Sequence, residues 1–289
     1  MAYAIEAGEP LSDALRRIAA EQVRDVLELR EEGDVVARVH ALRKRIKQLR
    51  ALLRLVRPEL GAAFAPLNGR LREAAQCLSA VRDAHVLLLV AGKLAEHAHE
   101  ADREALCIVR EALESTSIVD VESRITRAID AVRSVQPLLG STLWPLDGRF
   151  RVIGRGLQRT YRDGRRAMHK AVDSAKPAAL HRWRKRTKDH WHQLQLLRNA
   201  APAEFAQRGP LAKELSDVLG DDHDLALLHD RVAGDETLPA AARERVVALA
   251  NGAQRRLQQR AQLLGEALYD CRPRAFRKDV RKQWRKWTR

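Results

Sequence analysis

Residues 39–58 read VHALRKRIKQLRALLRLVRP, and Leu42, Ile46, Leu49, Leu53 and Val56 recur every three or four positions. An α-helix turns about 100° per residue, so these five side chains share one face. His40, Arg43, Lys47, Arg50, Arg54 and Arg57 fall within roughly 100° of one another on the adjoining face. The pattern predicts an amphipathic helix with a cationic stripe beside its apolar face. Like charges three and four residues apart destabilise a helix. A polyanion lying along the stripe relieves that repulsion.

The pattern returns at residues 180–200, LHRWRKRTKDHWHQLQLLRNA. At a constant offset of 141 residues, His40 aligns with His181, Arg43 with Arg184, Lys44 with Lys185 and Lys47 with Lys188. Trp183, Leu194 and Leu197 form the apolar side of the second copy. At the same offset LSAVRDAHVLL (78–88) falls on LGDDHDLALLH (219–229), pairing Asp83 with Asp224. Two motifs in one order at one offset predict two tandem helical units, residues 1–140 and 141–289.

Helix signals fill the intervals. Ser12 is placed to cap a helix over 13–32, closed by Gly33. Asp34 starts the next helix and Pro58 stops it. The segment GAAFAPLNG (61–69) reads as a loop before a helix over 70–97. Further helices are expected over 102–114, 119–135, 149–172, 211–232 and 239–269. QPLLGSTLWPLDG (136–148) reads as the boundary between units, and APAEFAQRGP (201–210) as an interruption. No alternating β-branched run predicts a strand. The expected fold is all-α: two pseudo-symmetric antiparallel four-helix bundles around a basic central groove.

Charge sharpens this picture. The chain has 289 residues, 53 Lys+Arg against 38 Asp+Glu, and a net charge of +15. That balance points to an anionic partner. Aromatic residues are only 4%, which disfavours base-stacking platforms. Cys77, Cys107 and Cys271 are scattered and form no CxxC, which fits a reducing compartment. The opening MAYAIEAGEP has no signal-peptide pattern, and a cytoplasmic location is expected.

Other constellations accompany these stripes. Arg155, Arg159, Arg162 and Arg166 make a third stripe over 149–172. His192 lies near the second stripe and is placed with it, whereas His190 falls on the apolar side. Asp83 and Asp224 read as structural carboxylates pairing with neighbouring basic side chains. Asp221, His223, Asp224 and His229 offer metal-ligand chemistry, but Arg82 stands where the first unit repeats His223, so no metal is expected. No P-loop, GxSxG or HExxH occurs, and neither a cofactor nor a catalytic residue is expected. The tail RPRAFRKDVRKQWRKWTR reads as a helix docked by its tryptophans, with a basic outer face.

The twice-occurring HxxRxxxK, with LSAVRDAHVLL and LGDDHDLALL downstream and TYRDGRRAM ahead of the second copy, resembles the CHAD domain. The likeness runs from about Leu11 to Tyr269. It implies two four-helix bundles with a basic pocket that binds inorganic polyphosphate, and association of some members with storage granules. Its motif falls on His40, Arg43, Lys47 and Arg50, and on His181, Arg184, Lys188 and His192. Trp191 replaces the counterpart of Arg50. The function expected is polyphosphate binding without catalysis. A nucleic-acid binder is the first alternative, and a metal-dependent phosphohydrolase using His223 and Asp224 the second.

Overall fold

The computed structural model of the chain describes residues 3–29, 34–115, 120–143 and 148–288. The described residues are all-α, without a strand. The helices are α1 (Leu11–Leu27), α2 (Val35–Leu60), α3 (Phe64–Cys77), α4 (Ser79–Glu96), α5 (Glu100–Glu114) and α6 (Val121–Arg133). They continue with α7 (Gln136–Leu143), α8 (Arg151–Ser174), α9 (Pro177–Leu196), α10 (Pro202–Ala233), α11 (Ala240–Leu268) and α12 (Pro273–Trp287).

Several boundaries differ from the local signals. Pro10, not Ser12, precedes α1, and Ser12 lies inside the first turn without a capping bond. Helix α1 ends at Leu27, and Gly33 lies outside the described residues. Asp34 does cap α2: its carboxylate accepts from Val36 N (3.1 Å) and Ala37 N (3.2 Å). Helix α2 runs past Pro58 and ends where Gly61 adopts a φ of 50°. The expected loop at 61–69 is a single 3₁₀ turn, Gly61–Ala63, followed directly by α3. Pro66 sits in the first turn of α3, where backbone N–H groups have no helical partner to lose. The expected helix over 70–97 breaks at the buried Leu78, where the chain bends by 48°.

The segment 201–210 is no interruption. Helix α10 starts at Pro202 and continues through Pro210. Tertiary bonds hold this turn: Gln283 Oε1 accepts from Ala203 N, and Arg208 bridges Glu204 and Asp270. Within the expected boundary segment 136–148, Gln136–Leu143 is helical. Residues 144–147 lie outside the described set.

Two hydrophobic cores organise these helices, and each draws on both halves of the sequence. The larger joins Leu15, Leu42, Leu52 and Leu71 to Leu157 and Trp183. The smaller joins Ala91, Leu106 and Val109 to Leu228, Val232 and Val246. There α4 packs on α5 and α10, and α11 packs on α10 and α5, making a four-helix arrangement. Helix α9 is enclosed by α2, α8 and α10. No single helix among the described residues is long and apolar enough to cross a membrane.

Candidate functional site: a cationic groove

The apolar stripe of α2 is buried as its spacing requires: Leu42, Ile46, Leu49, Leu53 and Val56 are each at most 1% exposed. Burial of that face fixes the rotation of α2 and turns His40, Arg43, Lys47, Arg50 and Arg54 to one side. Helix α9 meets α2 there. Gln193 donates to Ala51 O (3.2 Å), and Tyr3 donates to Gln48 O (2.9 Å) beneath the stripe. Asp189 pins the two helices by pairing with Arg54 (3.3 Å) and Arg186 (3.4 Å).

Between α2 and α9 the cations converge. Burial pushes Lys47 down to about 7, helped by Arg43, Arg184, Lys188 and Arg82. Burial lowers Lys188 to about 8, with Lys213 and Arg184 adding to the effect and Asp217 opposing it. Arg43, which donates to Ala75 O (3.1 Å), is lowered to about 10 by burial and by Arg82 and Arg184. Arg184 is lowered by burial, against the attraction of Asp224. Lys185, on α9, is lowered by burial and by Arg50 and Arg186. Arg50 is itself lowered to about 10 by burial and Arg54. Partial burial, with Lys47 and Lys44 adding to it, lowers His40, which stands with Lys44 at one mouth of the groove.

The floor is set by α4 and α10. Arg82 donates to Asp83 (3.0 Å) and to Asp224 (2.5 Å). Burial works against the charge of Arg82, but the two carboxylates hold its pKa up. The Arg82–Asp224 pair therefore ties α4 to α10, and both carboxylates partly neutralise the groove from below. Arg82, Arg186 and Asp189 join this site without a signal in the stripe pattern of the sequence. The first stood in the repeated motif, and the last replaces Gln48 in the second copy.

The third stripe only partly joins. Arg159 opposes the charge of Arg57 at the far end of α2, and Arg155 lies 3.9 Å from Glu59. Arg162 pairs with Asp163 (3.3 Å), and Arg166 is exposed further along α8.

His190 lies on the apolar side as its spacing implies, whereas His192 does not lie on the open stripe. His192 is 2% exposed, packed edge-on against Tyr3, and burial lowers it to about 3. It is an interior residue whose two ring nitrogens are both shielded from solvent. His190 is buried among Tyr161, Tyr269 and Phe276. His181 lies against His223, ring centroids 4.5 Å apart, where burial and Lys185 push it down to about 4. It can offer the groove a neutral imidazole at pH 7. Trp191 receives the Lys188 ammonium over its ring at 4.2 Å.

The run 221–224 scatters its side chains. Asp222 is held by Gln258 (2.8 Å), Asp224 by Arg82, and His229 by Asp230 (3.0 Å). Among the described residues no group of three or more His, Cys, Asp or Glu is placed to hold a metal ion.

Comparison with known proteins gives a consistent result. No curated protein matches the chain. A crystal structure of the CHAD domain from the plant Ricinus communis superposes with a TM-score of 0.62 at 19% identity, covering 97% of this chain and 95% of that one. At that identity the likeness concerns the fold. The CHAD domain family itself matches residues 11–233, well over half of the sequence. The chain belongs to the CHAD domain family.

Proposed function

We propose that this protein binds inorganic polyphosphate in the groove between α2 and α9 and performs no chemistry on it. Lys47 carries the reading. Its ammonium is held near pKa 7 because burial and four cations from α2, α4 and α9 surround it. Such a site is unfavourable when empty and favourable when a polyanion enters. Arg43, Lys47, Arg184 and Lys188 make the centre, with Arg50, Arg54 and Lys185 extending it. Arginine forks take phosphate oxygens in pairs, and lysines act as point charges. His40 and Lys44 mark one end and Arg159 the other. A protein so built would associate with polyphosphate granules through the chain it holds.

Titration with long-chain polyphosphate across salt concentrations tests the reading. Log affinity should fall against log salt with a slope of about −0.7 per phosphate engaged, by analogy with single-stranded nucleic acid. Displacement of polyphosphate by duplex DNA at equal phosphate concentration would remove the selectivity claimed. Release of orthophosphate on adding Mg²⁺ or Mn²⁺ would make the protein an enzyme.

The site also implies a pH profile. A bound polyanion raises the pKa of Lys47, so binding at pH 8 takes up a proton. Affinity should decline as pH rises from about 7 through about 8, where Lys47 and then Lys188 discharge. Ligand-free stability moves the other way. Unfolded Lys47 keeps its proton up to its ordinary pKa of 10.5, so stability rises with pH above about 7. Calorimetry in two buffers of different ionisation enthalpy measures the proton uptake. Lys47→Arg should abolish most of it, and an unchanged uptake would exclude Lys47 as the titrating group.

A further inference from the structure

Helix α12 carries a second cationic surface, away from the groove. Phe276, Val280 and Trp284 are at most 6% exposed and dock the helix. Phe276 stacks on Tyr161 with centroids 4.4 Å apart, and Trp284 packs on Phe150 at 5.9 Å. Tyr161 sits on one face of α8, and Phe150 immediately precedes its first turn. Arg155 and Arg159, on another face of α8, are turned towards α2. The two cationic surfaces are therefore separated by α8.

Docking fixes which side of α12 faces water. Arg274, Lys278, Arg281, Lys282 and Arg285 are all exposed and fall within about 100° of one another on the helix wheel. They span about 17 Å along the axis. Among the described residues none of these five forms an ion pair, although arginine–carboxylate pairs are frequent elsewhere in the molecule. The helix has a single acid, Asp279. Five like charges at three- and four-residue spacing destabilise the helix, and only the docked aromatic face holds it.

The chemistry of the face narrows the partner. Its apolar residues are committed to the core, so it has nothing to insert into a bilayer. Phe276 and Trp284 are turned inward, the half-buried Trp287 packs on Trp284, and Gln283 caps α10, so this face offers no row of stacking platforms and no amide for reading bases. What remains is a straight row of point charges and forks, suited to a featureless chain of phosphates. We propose that the outer face of α12 is a second polyphosphate-binding surface that makes the protein bivalent for long chains. The identity of the chain rests on the reading of the groove, but the surface itself does not depend on the groove residues.

The test uses the charge-reversed triple variant Lys278→Glu, Arg281→Glu, Arg285→Glu. All three positions are exposed, and reversal pairs position 278 with Arg274 and Lys282 and position 281 with Arg277, against one new like-charge i,i+4 pair at 281 and 285, so the fold should persist by circular dichroism. In salt near 0.15 M, where the Debye length is about 8 Å, tripolyphosphate affinity should stay within about twofold of wild type. Long-chain affinity should fall at least roughly tenfold, because engagement of two linked sites is lost. Unchanged long-chain affinity overturns the proposal, as does an equal loss for tripolyphosphate. Loss of duplex DNA binding with long-chain polyphosphate retained overturns the choice of partner. Arg43→Ala with Arg184→Ala separates the two sites. If that variant binds both ligands like wild type while the triple variant loses the long chain, α12 stands and the groove reading falls.

Discussion

Replacing Gly156 by alanine is expected to destabilise the protein by about 3 kcal/mol. Gly156 lies in the second turn of α8, where that helix crosses α2. A Cβ built on it would sit 1.7 Å from Leu55 O, 2.5 Å from Leu55 C and 2.9 Å from its Cα. The clash is with backbone, so no rotamer relieves it. Close C···O contacts lie at about 3.3 Å or more, so α2 and α8 would have to part by about 1.5 Å. Ile153, Leu157, Leu52 and Val56, all fully buried, would lose contact together. The gain in helix propensity and in chain entropy offsets only about 1 kcal/mol. Urea unfolding should show a lower midpoint at an unchanged slope. Gly92→Ala is the control. It lies inside α4 with nothing within 4 Å of its would-be Cβ, and should stabilise by about 1 kcal/mol. Equal behaviour of the two variants would mean that α2 and α8 do not approach so closely. Because α2 carries one wall of the groove, the same variant should also weaken polyphosphate binding.

The wall on α2 was legible because one side of that helix is buried and the other is not. A 3.6-residue period then reports the fold directly, and Leu42 to Val56 obey it. Helix α9 was harder to read because it is enclosed by α2, α8 and α10. Thr187, Asp189, His190, His192 and Gln193 are all buried, although a helical wheel marks several as surface. So His192 was placed on the stripe when it belongs to the interior, and Asp189 was overlooked as the carboxylate holding Arg54 and Arg186. Proline signals misled for a related reason. Pro66 falls in a first turn, and the turn before Pro210 is held by Arg208 and Gln283 from outside the local window. The role of Arg82 required knowing that α4 and α10 lie side by side. The histidines led the motif in sequence, but burial among cations keeps His181 neutral and leaves the charge to arginine and lysine.

The largest effect on binding is expected from Arg43→Ala combined with Arg184→Ala, a loss of roughly 10²–10⁴-fold in polyphosphate affinity. Each arginine offers charge-assisted bonds worth about 1.5–3 kcal/mol, and a factor of ten corresponds to about 1.4 kcal/mol. The salt slope should flatten by about 1.4, two phosphates' worth of released counterions. Stability supplies the second half of the argument. A structural arginine destabilises the protein when removed. Arg43 and Arg184 repel each other and Arg82, and both have pKa values lowered chiefly by burial. Without ligand, the double variant should therefore unfold at a temperature equal to or above wild type. With saturating polyphosphate the order should reverse, because only wild type gains the stabilisation of a bound ligand. Arg82→Ala is the contrast. That guanidinium holds Asp83 and Asp224 together, and its loss leaves two carboxylates facing each other under the groove. It should cost stability with or without ligand. If Arg43→Ala with Arg184→Ala behaves like Arg82→Ala, the groove's cations are structural and polyphosphate binds elsewhere.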